Sequence, residues 1–213
     1  MRWVVFLRAV NVGGTNRCQP ASIAKQLAKF GVINIGAVGT FVVREDVSES
    51  TLRAAIAKKL PFKCEIMICP ARDIIKLVRQ WTDSRWRASK DDPFSEQALG
   101  PNIVRFVSVL AKSLRGRIRS DLNHQTSTAR PARTIKPQTS QLPPLPLTLP
   151  SDDEWLLKII AIQNRFVLGL YRRQMKAISY LGKIEKLLGV PATTRNWNTI
   201  EKVAKILRQD SHD

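Results

Sequence analysis

Along the first seventy residues, short unbroken apolar runs alternate with stretches in which apolar residues recur every three or four positions. Trp3 to Leu7 is a run of strand length, and after the turn signal Asn11-Val12-Gly13-Gly14 the set Ile23, Leu27, Phe30 falls at i, i+4, i+7 and is closed by Gly31. This predicts a strand and then a helix. Val32 to Ala37 and Thr40 to Arg44 are β-prone runs separated by Val38-Gly39, which suits a hairpin. Ser48 stands at the N-cap of a helix with Leu52, Ile56 and Leu60 along one face. Pro61 stops that helix, because proline has no N–H to donate and its ring clashes with the preceding turn. Cys64 to Cys69 reads as a fourth strand, with Ile66 and Ile68 alternating against Glu65 and Met67. A third helix follows, with Ile74, Leu77, Val78 and Trp81 on one face. The order βαββαβ predicts a ferredoxin-like, split-βαβ subdomain over residues 1–81.

Residues 82–101 are polar and turn-rich, with Asp91-Asp92-Pro93 and Gly100-Pro101, and read as a connection between domains. Ile103 to Leu110 is again a strand pattern. Residues 111–150 read as a basic, proline-rich, flexible insertion: six of the twenty residues from Pro131 to Pro150 are proline, a composition that packs no core. Trp155 to Ile162 and Phe166 to Tyr171 flank Gln163-Asn164-Arg165 as a hairpin. Helical period returns in Ala177, Leu181, Ile184 and Leu188, ended by Gly189 and Pro191. A last helix carries Ile200, Val203 and Leu207, with Asn198 and Glu201 spaced as a capping box. Residues 102–110 and 151–213 together predict a second, smaller α+β subdomain, so the fold class is α+β.

Composition bounds the rest. With 213 residues, 44% hydrophobic and 24% charged, the chain has material for one large core or two small ones, which excludes global disorder. No apolar run approaches the roughly 20 residues that cross a bilayer, so a soluble cytoplasmic chain is expected. The three cysteines, Cys18, Cys64 and Cys69, are an odd number. Cys64 and Cys69 sit five apart in the expected strand, which sends their side chains to opposite faces, so all three are expected as reduced, small apolar residues. With only His124 and His212 beside them, no metal site and no cofactor are expected. Ser108, Ser179 and Cys18 have no identifiable base partner, and Asp152-Asp153-Glu154 reads as a solvated turn. No reaction is assigned, and whether the chain is an enzyme stays open.

Charge does change the picture. Thirty-five Lys and Arg stand against seventeen Asp and Glu, a net +18, and the second part is the more basic, with 19 cations against 8 carboxylates from residue 101 onward. Lys112, Arg115, Arg117, Arg119, Arg130, Arg133 and Lys136 are opposed in their segment only by Asp121. That is the footprint of contact with a phosphate backbone, so RNA or DNA is the expected partner class. The other reading of the segment is a solvated basic loop that binds nothing.

Two shorter segments suit a smaller anion. Asn11 to Arg17 follows a strand and precedes a helix, where Gly13 and Gly14 let backbone N–H groups approach a ligand while Arg8, Asn11 and Arg17 supply further donors. It matches neither a Walker loop nor a dinucleotide fingerprint, and the same glycines equally serve a tight turn. Thr193, Thr194, Arg195 and Asn196 read as a loop between a helix ending at Gly189 and one beginning near Thr199, with hydroxyl, guanidinium and amide donors suited to phosphate or carboxylate. Trp197 either stacks on a base or anchors the loop in the core, and the Thr and Asn side chains equally serve as helix caps. If the two segments meet, they make one pocket for a small phosphorylated ligand, the alternative to polyanion binding.

Leu7-Arg8-Ala9-Val10-Asn11-Val12-Gly13-Gly14 and Gly189-Val190-Pro191-Ala192-Thr193-Thr194-Arg195-Asn196-Trp197-Asn198-Thr199 together resemble the bacterial domain-of-unknown-function 1697 family. The resemblance spans roughly residues 1–110 and 155–209. It implies two α+β subdomains, the first ferredoxin-like, and no established activity. Where that family has a Ser-Gly-Asn turn before a Val-Val strand, this chain reads Val38-Gly39-Thr40-Phe41-Val42-Val43, and the family's Ser-Lys-Leu element is reduced to Lys176 in Gln174-Met175-Lys176-Ala177.

Overall fold

The computed structural model describes residues 1–12, 14, 16–82, 99–114, 144–151 and 154–209. Among them the chain forms a mixed α+β protein with two antiparallel sheets and five α-helices. In the first sheet β1 (Trp3–Leu7) lies between β3 (Thr40–Val43) and β4 (Ile66–Pro70), and β2 (Val32–Asn34) pairs with β3, giving the order β2-β3-β1-β4. Both faces of this sheet are covered, which is why β1 is apolar without alternation. Trp3, Val5, Leu7, Phe41, Val43, Ile66 and Ile68 pack with Ile23 of α1 (Pro20–Gln26) and with Leu52 and Ile56 of α2 (Glu49–Lys59). Val4, Phe6, Val42, Met67 and Cys69 face the other way, into the main core. Ser48 caps α2 as expected, its side chain accepting a hydrogen bond from the Thr51 N–H.

The second sheet has the order β6-β7-β8-β5-β9. β5 (Ile103–Leu110) lies between β8 (Phe166–Arg172) and β9 (Ala192–Asn196), and β7 (Leu157–Gln163) joins β8 to the short β6 (Leu147–Leu149). One face packs Phe106, Leu110, Leu157, Ile159 and Val167 against Ile184 and Leu188 of α4 (Met175–Leu188). Gly169 makes this possible, since a Cβ there would stand 2.7 Å from the Phe106 ring. The opposite face presents Val107, Val109, Leu168 and Leu170 to the main core. There they join Ile74, Leu77 and Val78 of α3 (Ala71–Thr82) and Trp197, Ile200, Val203 and Leu207 of α5 (Trp197–Gln209). One buried cluster therefore runs from the first sheet through α3 and α5 into the second. No helix among the described residues is long and apolar enough to cross a membrane.

Four local expectations are corrected. The fourth strand begins at Ile66, not Cys64, and Met67 is as buried as its neighbours because core covers both faces. Leu147 to Leu149, within the segment read as an insertion, forms the edge strand β6 on β7. Thr193 to Asn196 is not a loop: it belongs to β9, paired to β5 from Phe106↔Asn196 to Leu110↔Ala192. The last helix starts at Trp197, which places Asn198 inside it and removes the Asn198–Glu201 capping box.

Candidate functional site

Strand period decides what β9 does with its polar residues. Thr194 faces α4's side of the sheet, where its hydroxyl meets that of Ser108 at 2.6 Å. Thr193 and Arg195 face the first sheet, and both are 6% exposed. The Arg195 guanidinium is enclosed by the chain's own oxygens. Nε donates to Thr40 Oγ1 (2.7 Å), Nη1 to Thr193 Oγ1 and the Thr194 carbonyl (2.8 Å each), and Nη2 to the carbonyls of Leu7 (2.9 Å) and Val38 (2.8 Å), with Gly39 at 3.3 Å. A guanidinium has five N–H donors, and all five have acceptors here. Burial pushes the Arg195 pKa down to about 10, still well above neutral, so the group remains a cation solvated by carbonyl dipoles.

The Leu7 carbonyl also accepts from Thr193 Oγ1 (3.3 Å), and the Leu7 N–H donates to the Gly39 carbonyl at 2.8 Å. The Val38-Gly39-Thr40 turn therefore receives Arg195 with two carbonyls and a hydroxyl. Gly39 is required at its centre: φ is +71°, and a Cβ would stand 2.8 Å from the Leu7 Cβ. The contact between the two longer motifs is made by Leu7 and Arg8 rather than by residues 11–17, and what they share at Leu7 is a buried arginine rather than an open pocket.

Arg8, the next residue, is also engaged. Its Nε and Nη2 grip Glu185 of α4 through both carboxylate oxygens at 2.7 Å, and Glu185 Oε1 additionally accepts from the Ala192 N–H at 3.1 Å. Partial burial works against the Glu185 carboxylate, but the hydrogen bonds from Arg8 and Ala192 outweigh it and hold its pKa below the usual range. The bond to Glu185 raises that of Arg8.

The Asn11–Arg17 loop closes on itself. The Asn11 side chain accepts from the Cys18 N–H (3.0 Å) and donates to the carbonyls of Cys18 (2.9 Å) and Ala37 (2.7 Å), while its N–H donates to the Asn16 carbonyl (3.2 Å). Ala9, Asn11, Gly14 and Asn16 all take positive φ. Gly13 lies outside the described residues. The helix after the loop starts only at Pro20, is seven residues long, and has no side-chain cap hydrogen bond from Gln19. Arg17 is exposed.

Asn196 ends β9 apart from this junction. The Tyr171 hydroxyl donates to its Oδ1 at 3.1 Å, and it lines a separate cavity with Arg105, Arg173 and Asn198. Trp197, 1% exposed, anchors the start of α5 in the main core rather than presenting a stacking face. Lys112 is exposed just beyond β5, whereas Arg115, Arg117, Arg119, Arg130, Arg133 and Lys136 lie outside the described residues.

Three residues that hold these parts together escaped the sequence reading. Thr40 and Glu185 complete the junction; the only signal for Glu185 was its being the sole carboxylate in α4. Arg165, in the hairpin turn, reaches the carbonyls of Ile68 (2.5 Å) and Ala111 (2.8 Å) and the Cys69 sulfur (3.4 Å), tying the two sheets together a second time. No group of His, Cys, Asp and Glu among the described residues is arranged to hold a metal ion.

No curated protein matches the chain. Among solved structures it is similar to the conserved bacterial protein SP0830 from Streptococcus pneumoniae, at 13% identity with a TM-score of 0.50 over 97% of this chain and 98% of that one, a likeness of fold. Residues 1–95, which include the first of the two motifs, match the family described as protein of unknown function (DUF1697).

Proposed function

We propose that the protein binds polyanions, with the phosphate backbone of RNA or DNA as ligand. The observation that carries this reading is the outer surface of the α3–α5 pair. α3 exposes Arg72, Lys76 and Arg79 at i, i+4, i+7, one stripe opposite its buried Ile74, Leu77 and Val78. α5 exposes Lys202, Lys205 and Arg208, and Lys205 and Arg208, together with Glu201, line the groove it forms with Val78 and Thr82 of α3. Against these six cations the two helices carry only Asp73 and Glu201. Phosphates neutralised by such a surface release their counterions, so binding is driven by charge and is steeply salt-dependent. The sequence from Lys112 to Lys136, which lies outside the described residues from Arg115 onward, is basic as well.

The small-ligand reading through residues 11–17 and 193–197 finds less support, because the Arg195 donors are all taken and Arg8 holds Glu185. For the first subdomain, the element order together with the β2-β3-β1-β4 sheet supports a ferredoxin-like reading.

Fluorescence anisotropy of labelled single-stranded RNA and duplex DNA, titrated with nuclease-treated protein at about 50 and 200 mM salt, tests the proposal. Six phosphate contacts predict an affinity loss of about a thousandfold over that span. Absence of binding at the lower salt would overturn it.

A further inference from the structure

The first sheet brings Cys18 and Cys64 to one place, although they stand forty-six positions apart in the chain. Cys64 belongs to the approach to β4. The β1–β4 ladder ends at Leu7↔Ile66, and one further hydrogen bond, from the Arg8 N–H to the Glu65 carbonyl at 3.0 Å, carries the pairing beyond it. Antiparallel order then puts Cys64 opposite Ala9. Strand parity sends its side chain to the face of Ile66 and Ile68, the face covered by α1 and α2, and Cys64 packs against that apolar cluster.

Cys18 reaches the same face from the other direction. The chain leaves β1, turns, and is drawn back onto Ala9 and Asn11. Asn16 Nδ2 donates to the Ala9 carbonyl at 3.2 Å, the Asn11 N–H donates to the Asn16 carbonyl, and the Asn11 side chain holds both the N–H and the carbonyl of Cys18. Just ahead of α1, Cys18 packs against the same cluster as Cys64. Both residues are partly exposed, whereas Cys69 is buried. The electrostatics agrees with this placement: burial raises the Cys64 pKa, a charge on Cys18 raises it further, and the Arg8 N–H pulls it down. Two accessible thiols on one face, both fixed through the segment from Arg8 to Asn11, meet the demand that a disulfide form without a large backbone movement.

We propose that Cys18 and Cys64 are a thiol pair that is reversibly oxidised to an intramolecular disulfide, with a low-molecular-weight disulfide of the glutathione type as oxidant. One thiol loses its proton, and its thiolate attacks a sulfur of the oxidant, releasing one glutathione thiolate and leaving a mixed disulfide. The second protein thiolate attacks the protein sulfur of that mixed disulfide, forms the Cys18–Cys64 bond and expels the second glutathione. Two protons and two electrons pass from the protein to the oxidant, which leaves as two reduced glutathiones. The bond ties the turn after β1 to the approach to β4. It does not rest on the polyanion reading, since neither cysteine lies on α3 or α5.

The full chain, reduced and then incubated with excess oxidised glutathione at about pH 8, tests the proposal. Expected are an intact mass lower by two hydrogens, a linked Cys18–Cys64 peptide in a non-reducing digest, and return to the starting mass with dithiothreitol. Closing a loop of this length raises the melting temperature of the oxidised form by several degrees, and reduction reverses the shift. Cys18→Ser and Cys64→Ser each stop at the glutathione adduct and show no such shift, and a thermal melt of each reduced variant checks folding. The wild-type digest decides the pairing even if a variant fails to fold. A glutathione adduct without the linked peptide, a link through Cys69, a link between two chains, or no reaction overturns the proposal.

Discussion

Arg195 donates from Nη2 to the carbonyl of Leu7 at 2.9 Å, joining residues 188 positions apart. The bond connects the end of β1 in the first sheet to the edge strand of the second. Thr193, two residues earlier on the same face of β9, donates to the same carbonyl. A cation buried this deeply persists only if its desolvation is offset by acceptors, and the β2–β3 turn, the Leu7 carbonyl and β9 itself supply them.

Replacing Arg195 with alanine leaves the Leu7 and Val38 carbonyls and the Thr40 hydroxyl without this donor in a buried site. A loss of at least about 3 kcal/mol in unfolding free energy is expected, because each unsatisfied buried group costs about 1–3 kcal/mol. Arg195→Lys recovers only part of it, since an ammonium has three donors and no planar fork. Urea denaturation measures both; a lysine variant as stable as the wild type would contradict the geometry described.

Gly39→Ala places a Cβ against Leu7 in a left-handed backbone conformation. The strain predicts a loss of about 1–3 kcal/mol, whereas Gly36→Ala, also at positive φ but with open space around it, carries the backbone penalty alone. The difference between the two melting curves reads out the contact with Leu7.

Glu185 has a folded pKa below its ordinary value. For an acid shifted this way, the folded state binds fewer protons than the unfolded one. Its contribution is present above the unfolded carboxylate pKa and is lost as pH falls through the lower folded value. The raised pKa of Arg8 places no second transition in this range, because Arg8 is fully protonated throughout it. With the Arg8 side chain 40% exposed, solvent screening limits the pair to about 1 kcal/mol. Stability measured between about pH 5 and pH 2 should fall less steeply in Glu185→Gln than in the wild type.

Burial pushes the Cys69 thiol up to about 11, against the opposing pull of Arg165. Cys18 and Cys64 are less buried and shifted in the same direction. Since the thiolate is the reactive form, timed alkylation of the native protein should label Cys18 and Cys64 before Cys69, and peptide mapping reads the order. Early labelling of Cys69 would contradict the buried β4 face.

Much of this architecture can be read locally. The apolar run of β1, the Ser48 cap, the stripe Ile74-Leu77-Val78 and the Gly189 stop at a φ of 62° each depend on neighbours within a few residues. β9 depends on none. Its Thr-Thr-Arg-Asn sequence is polar because one face meets Ser108 and the other meets Leu7, Val38 and Thr40, all more than eighty positions away. A strand whose polar side chains are satisfied by distant partners looks like a loop until its partners are known. For the same reason Arg195 reads in sequence as a free anion ligand and is instead a buried tie.

The central claim is that the outer surface of α3 and α5 contacts a phosphate backbone, and the most direct measurement is the slope of log affinity against log salt for duplex DNA. The wild type is compared with Lys76→Ala/Lys205→Ala, two exposed positions whose replacement leaves the core intact. Each lost phosphate contact flattens the slope by about one unit, so the account predicts a double variant that binds more weakly with a slope shallower by about two. An unchanged slope and affinity in the double variant would contradict it and place the binding surface elsewhere on the chain.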